Sequence, residues 1–189
     1  MLTDAQIERY GRQILLPAVG GRGQARLLQA TVVVVGEGIA AEFAATLLGR
    51  AGIGRLGVTG SFAVSVAPEC SLERLTGAAQ IPAPAVRAYV EAAPPWVGMG
   101  PTIIARSDDA FVATLNGRPC AQCFVPPIGE PDGVVAAITG WSIGSLVAAE
   151  VLRLLLQPAA SARLQQLSTG GCRFRSATLP PTLGCPACR

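Results

Sequence analysis

Ala30-Thr31-Val32-Val33-Val34-Val35-Gly36-Glu37-Gly38-Ile39-Ala40-Ala41 is the stretch on which the reading of the fold turns. Four consecutive valines have the length and β-branched character of a strand covered on both faces, and such strands belong to parallel sheets. The run ends in a Gly36-x-Gly38 turn, after which Glu42 to Arg50 places Phe43, Leu47 and Leu48 on one side of a helix. Gly52-Ile53-Gly54 closes that helix, and Arg55-Leu56-Gly57-Val58-Thr59 reads as a second strand. Strand, glycine turn, helix and strand make a βαβ unit, with the right-handed crossover such units take. The expected fold is α/β, with a Rossmann-like, mostly parallel sheet and flanking helices.

Upstream, Thr3 and Gln6 form a capping box, and Ile7, Tyr10, Ile14 and Leu15 recur at helical spacing, so a helix ends before Pro17. Gly20-Gly21-Arg22-Gly23 reads as a turn before a short helix over Gln24 to Gln29. Downstream, prolines punctuate 61–101 and leave only Ala85 to Ala92 as a helical candidate. Thr102 to Ala105 reads as a strand, Asp108 to Leu115 as a short helix, and Asn116-Gly117-Arg118-Pro119 as a turn. Val134 to Leu156 is expected to supply a strand and a long helix ending before Pro158. Leu164 to Leu167 and Cys172 to Thr178, joined through Thr169-Gly170-Gly171, read as a C-terminal hairpin. The expected organisation is one domain over 1–189, with a helical segment 1–29, a core 30–160, and a hairpin and cysteine-containing tail 161–189.

Half of the 189 residues are hydrophobic and 14% are charged, which excludes a disordered chain. All 15 basic residues are arginine, and the chain has no histidine. A Ser-His-Asp triad, a histidine-ligated metal, a phosphate-binding Walker lysine and a Schiff-base lysine are therefore excluded. The net charge of +3 comes from dispersed arginines without a basic run, which argues against nucleic acid as a partner. Met1 to Arg9 is polar and mixed in charge, unlike a secretory leader, so a cytoplasmic address and reduced cysteines are expected. The uncharged run Val134 to Ala149 is shorter than the about 20 residues of a membrane span and reads as a core helix, so no membrane association is expected.

Cys120-Ala121-Gln122-Cys123 and Cys185-Pro186-Ala187-Cys188 supply four thiolates, the donor set of a closed tetrahedral structural Zn2+ site. The competing reading is redox chemistry, but redox pairs usually open a helix after a strand, whereas both of these knuckles sit among prolines. With 61 residues between them, the knuckles suit a clip that returns the tail to the middle of the chain. Cys70 and Cys172 read as small buried hydrophobes, since no histidine exists to activate either. The Gly36-x-Gly38 turn, with Ala41 where a third glycine would fall, has the form of a phosphate-receiving helix start, although Glu37 and Glu42 oppose phosphate.

Taken together, Arg9-Tyr10-Gly11-Arg12-Gln13-Ile14-Leu15-Leu16-Pro17, Gly23-Gln24, the Ala30–Val35 strand with Gly36-x-Gly38, and Ala51-Gly52-Ile53-Gly54-Arg55-Leu56 resemble the opening of the ThiF/MoeB/HesA family. These are bacterial relatives of ubiquitin-activating enzymes. The resemblance resumes at Pro119-Cys120-Ala121-Gln122-Cys123-Phe124, runs through Glu150-Val151-Leu152-Arg153-Leu154-Leu155-Leu156, and closes with Gly171-Cys172-Arg173-Phe174-Arg175 and the second knuckle. It implies Mg2+-ATP at Gly36, Gly38 and Ala41, adenylation of the C-terminal Gly-Gly of a ubiquitin-like sulfur carrier, a dimer, and one structural zinc on Cys120, Cys123, Cys185 and Cys188. It also implies that Arg12 reaches across the dimer to the partner's ATP phosphates; the alternative role for Arg12 is an ordinary surface ion pair on a helix.

The chain departs from the family where the charge should be. Gly60 and Phe62 stand where the family has an acid for the ATP ribose and a second acid. The Ser-Asn-Leu-x-Arg-Gln motif survives as Cys70-Ser71-Leu72-Glu73-Arg74-Leu75, with Arg74 the remnant. The family's phosphate-contacting lysine has no counterpart, and Asp108 or Asp109 is only a loose match to the magnesium-binding Asp. The expectation is a degenerate member, a non-catalytic binding or regulatory subunit in a homodimer or in a heterodimer with a related activating subunit. The alternative is an adenylyltransferase using Gly36, Gly38, Arg74 and Asp108 or Asp109.

Overall fold

The computed structural model describes residues 1–81, 83–92, 100–108, 110–117, 119–120, 123–124, 133–157, 159–168, 173–180 and 184–185. In chain order the elements are α1 (Asp4–Ile14), α2 (Gly20–Gln29), β1 (Thr31–Gly36), α3 (Gly38–Ala51), β2 (Arg55–Val58), β3 (Ser71–Arg74), β4 (Val86–Val90), β5 (Thr102–Arg106), β6 (Phe111–Leu115), α4 (Gly133–Leu156), β7 (Arg163–Ser168) and β8 (Arg173–Thr178). Thr3 and Gln6 form the capping box at the start of α1.

All eight strands join one sheet in the order β3-β2-β1-β4-β5-β6-β7-β8. Neighbours from β3 through β5 run parallel, and β5 through β8 alternate as antiparallel strands. The expected α/β class, mostly parallel sheet and C-terminal hairpin are therefore present. β1 lies inside the sheet, which is why Val32, Val33 and Val34 are fully buried. The helices α3 and α4 pack closely over one face because small residues meet there. A Cβ at Gly144 would lie 2.7 Å from the carbonyl oxygen of Ala40. The Thr139–Leu156 part of α4 is long and apolar enough to cross a membrane, but 56% of it is buried against the rest of the protein.

Four local expectations are corrected. Ala85 to Ala92 is not a helix: Val86–Val90 is β4, paired with β1 and β5. Its alanines suit a helix, but burial of Val86, Ala88 and Val90 between two neighbouring strands overrides that preference. The short helix expected over Asp108 to Leu115 is instead a turn and β6, every residue of which is buried between β5 and β7. Gly133–Leu156 is one continuous helix, which takes up the segment expected to begin as a strand, and Gly20 to Gly23 forms the first turn of α2 rather than a loop.

The N-terminal helices are fastened by polar contacts. The Tyr10 hydroxyl donates to Glu69 at 3.1 Å and Arg9 Nε donates to the same carboxylate at 3.2 Å. Burial and the bond to Glu69 push the Tyr10 phenol up to about 12. Buried Gln24 donates to the carbonyl of Ala51, the last residue of α3.

Glu150, 1% exposed, joins α4 to the antiparallel half of the sheet. Its carboxylate accepts from Thr114 Oγ1 at 2.7 Å, from Arg153 Nε at 2.9 Å and from Arg163. Burial alone raises the pKa of this carboxyl, but the bonds from Arg163, Arg153 and Thr114 outweigh it and hold the group below the ordinary carboxylate value. A lowered folded pKa means that the contribution is complete above the ordinary carboxylate range and is lost as pH falls through the folded value. Glu150→Gln should cost about 3 kcal/mol, toward the low end for a broken buried pair because both arginines keep some access to water. Urea titrations across pH should show this loss at neutrality and a shallower acid limb in the variant.

Candidate nucleotide crevice and cysteine cluster

In an open parallel sheet, ligands bind beyond the carboxyl ends of the strands where the chain's progression reverses. That reversal falls between β1 and β4, so the turn from Gly36 to Gly38 stands at its centre. Gly36, at φ +135°, lies against β4 so tightly that a Cβ would sit 1.7 Å from Val90 O. Its N–H donates to Thr59 Oγ1 at 3.0 Å. Gly38, at φ +83°, begins α3 and has nothing within 4 Å of where a Cβ would be. Ala41 is fully buried in the core, so its side chain packs the helix and does not face the crevice.

Three neighbouring contacts shape this crevice. Glu37 occupies the N-cap position of α3, yet its carboxylate turns to the Ser61 N–H at 3.3 Å, and no side chain caps the helix. The Phe62 ring fills the space over Gly60, where a Cβ would lie 2.0 Å from Phe62 Cε1. Arg74 donates to the carbonyls of Gly60 and Phe62, and its guanidinium carbon sits 5.8 Å from the centre of the Phe62 ring. The cation that the sequence offers to the crevice is thus bound to the wall of the loop following β2.

Sequence reasoning missed Glu91. Val90 pairs with Gly36, so Glu91 stands at the carboxyl end of β4 beside the glycine turn. It has φ +56°, an uncommon conformation for a residue with a side chain. Its carboxylate accepts from the Ser107 N–H at 2.6 Å and from the Ser107 hydroxyl. Reading this segment as a helix hid the strand end, where an acid next to a glycine turn would have been noticed. Asp108 is exposed in the turn after β5, one strand farther from Gly36, and Asp109 lies outside the described residues. Arg12 is exposed on α1 and makes no ion pair among the described residues.

The structure brings Cys120, Cys123 and Cys185 together, with Cys120 Sγ 3.6 Å from Cys123 Sγ and 3.8 Å from Cys185 Sγ. Those separations are far longer than the about 2.05 Å of a disulfide. They match the about 3.8 Å edge of a tetrahedron of thiolates at about 2.3 Å from a zinc-sized ion. Cys188 and Cys172 lie outside the described residues. Cys70 is buried, and burial pushes its thiol pKa up, which disfavours the reactive thiolate.

No family model matches the chain. Local matches are strong: 51% identity over 55 residues to the vegetative HesA protein of Trichormus variabilis, covering 29% of this chain and 21% of that protein. A sulfur carrier protein adenylyltransferase of Thermus thermophilus is 48% identical over 56 residues, covering 30% of this chain and 21% of that protein. The fold extends the likeness along almost the whole chain. The structure of E. coli MccB with ATP superposes with a TM-score of 0.72 over 99% of this chain and 74% of that one, at 13% identity. The local matches and the shared fold support the resemblance to the ThiF/MoeB/HesA family.

The chain matches only about a fifth of the length of those two curated relatives. Its cysteine cluster is the feature most open to direct test. Because the cluster closes a loop of more than 60 residues, an ion there should contribute folding energy. Cys185→Ser should lower the melting temperature by about 5 °C or more, since 1 kcal/mol moves it by about 2 to 4 °C at this size. A chelator should do the same to the wild type, and unchanged melting in both experiments would show that the cluster holds no structural metal.

Proposed function

We propose that the chain is a non-catalytic binding or regulatory subunit of a system that activates a ubiquitin-like sulfur-carrier protein ending in Gly-Gly. In this reading zinc is held by Cys120, Cys123, Cys185 and Cys188, and closes the tail onto the body. The observation that carries the reading is Arg74. Adenylation relies on positive charge organised in advance around a triphosphate, and losing one such group costs about two to three orders of magnitude. Here the remnant arginine is bound to two backbone carbonyls, the ribose side of the crevice is filled by Phe62, and no lysine is present to supply a cation in place of Arg74. The turn also carries Glu37 and is bordered by Glu91, two carboxylates on the side where phosphates would approach.

Arg12 supports a role in trans. Tyr10 and Arg9 fix α1 to Glu69, which leaves Arg12 exposed and unpaired among the described residues. A partner subunit, a second copy or a related activating chain, would take this guanidinium onto its own ATP phosphates. A second reading, adenylyltransferase activity in the chain itself, is favoured by the absence of a side-chain cap on α3, which leaves its first-turn amides available to an anion. MccB, of the same fold, has been solved with ATP.

Calorimetric titration of Mg2+-ATP into the metal-loaded protein separates the two. No heat of binding at millimolar nucleotide is expected, and stoichiometric micromolar binding would overturn the subunit reading in favour of the enzyme. With a competent homologue present, Arg12→Ala should reduce pyrophosphate exchange about a hundredfold. Unchanged exchange in an intact complex would remove the role in trans.

A further inference from the structure

The sheet ends differently at its two edges. At β3, Glu73 forms two bonds with Arg55, at 2.8 and 2.9 Å, and Arg74 is bound to the Gly60 and Phe62 carbonyls. The edge charges there are satisfied within the chain. At β8 all six residues from Arg173 to Thr178 are exposed. Arg173 and Arg175 make no ion pair among the described residues, and Phe174 leaves 52% of its surface in water.

The direction of the backbone groups follows from the ladder. β8 pairs with β7 in a register that sets Thr178 opposite Arg163, and the Leu179 N–H donates to Ala162 O at 3.0 Å. Bonded and non-bonded residues alternate along an antiparallel pair. Arg173, Arg175 and Ala177 therefore bond to β7, while Phe174, Ser176 and Thr178 turn their N–H and C=O groups outward. The far side of β7 keeps the same alternation, since the Leu167 N–H donates to Ala110 O at 2.8 Å on the β6 side.

Side chains alternate as well. Arg173 and Arg175 project from one face of the edge, and Phe174 projects from the other, the face on which Arg163 reaches Glu150 of α4. Two unpaired cations on one side deter association between like-charged edges, which is a common defence of exposed strands. The same two cations attract a strand of opposite charge.

We propose that β8 is a docking edge for an acidic extended segment of a partner protein, which adds to the sheet as a further strand. The outward N–H and C=O groups of Phe174, Ser176 and Thr178 supply the ladder. Carboxylates at alternate positions of the partner lie opposite Arg173 and Arg175, and an apolar residue between them lies against Phe174. Main-chain bonds give such complexes affinity and alternate side chains give them specificity. The inference uses neither the crevice nor the cysteine cluster, so it stands apart from the subunit reading.

Fluorescence anisotropy on the full chain tests it, using a labelled eight-residue peptide that alternates glutamate with valine and a twin with lysine for each glutamate. The glutamate peptide should bind saturably and at least about tenfold more tightly than the lysine peptide. The double variant R173E/R175E, altered only at exposed positions, should invert that preference. A glutamate peptide N-methylated on alternate amides should lose binding, because its ladder donors are gone. Equal binding of the two charged peptides, an unchanged preference in the double variant, or undiminished binding of the methylated peptide would each overturn the proposal.

Discussion

The carboxylate of Glu150 is the contact through which the two halves of this sheet share one frame. The parallel half is covered by α3 and α4, which meet through glycine and alanine and so leave little room for adjustment. Of the antiparallel half, β5 and β6 also lie against α4. Glu150 reaches from α4 to Thr114 on β6 and, through Arg163, to β7. This junction ties α4 to β6 and β7. Cys120 lies just past the end of β6, and among the described residues β8 pairs with β7. A buried ion cluster is an uneconomical source of stability, because desolvation of the charges cancels much of their attraction. Its value here is geometric, since an apolar replacement would pack as well yet would not specify which strand α4 must face.

Much of the architecture was legible in the sequence, and the reasons are specific. The valine run from Val32 to Val35 reads as a strand whatever surrounds it, because β-branched residues in series suit a doubly covered strand. The spacing of the two Cys-x-x-Cys knuckles anticipates that Cys120, Cys123 and Cys185 come together, while Cys188 lies outside the described residues. The segment from 61 to 101 is not. β4 has an arginine, an alanine and a tyrosine between its two valines in place of a valine run, and its two neighbouring strands make it a strand. The misreading of β4 also concealed Glu91, which becomes visible as a crevice residue once Val90 is seen opposite Gly36. The Asp108–Leu115 error has the same origin: β6 is fixed by pairing with its neighbour β5 and with the distant β7, which the local pattern of that segment does not report.

The absence of lysine gives the crevice its character. Arginine carries a planar fork of donors that binds carbonyls and carboxylates in pairs, whereas lysine offers a compact charge on a flexible stem. In this chain the forks are used structurally. Arg74 braces the Gly60–Phe62 segment, Arg163 and Arg153 neutralise Glu150, and Arg55 pairs with Glu73. A site that must hold a triphosphate needs cations left over after such bracing, and Arg74 is not one of them. Arginines without this duty lie elsewhere, at Arg12 and along β8.

The burial of Tyr10 fixes the compass direction of α1. An α-helix advances about 100° per residue, so a side chain two positions along is turned about 200° from its reference. With Tyr10 facing the body and fastened to Glu69, Arg12 is compelled to face away from it. The phenol thus acts as a rotational stop, and the heading of the guanidinium is set by helix pitch rather than by any contact of its own. Adding or deleting one residue between them would swing that heading by about a quarter turn while leaving the anchor and the rest of the fold in place.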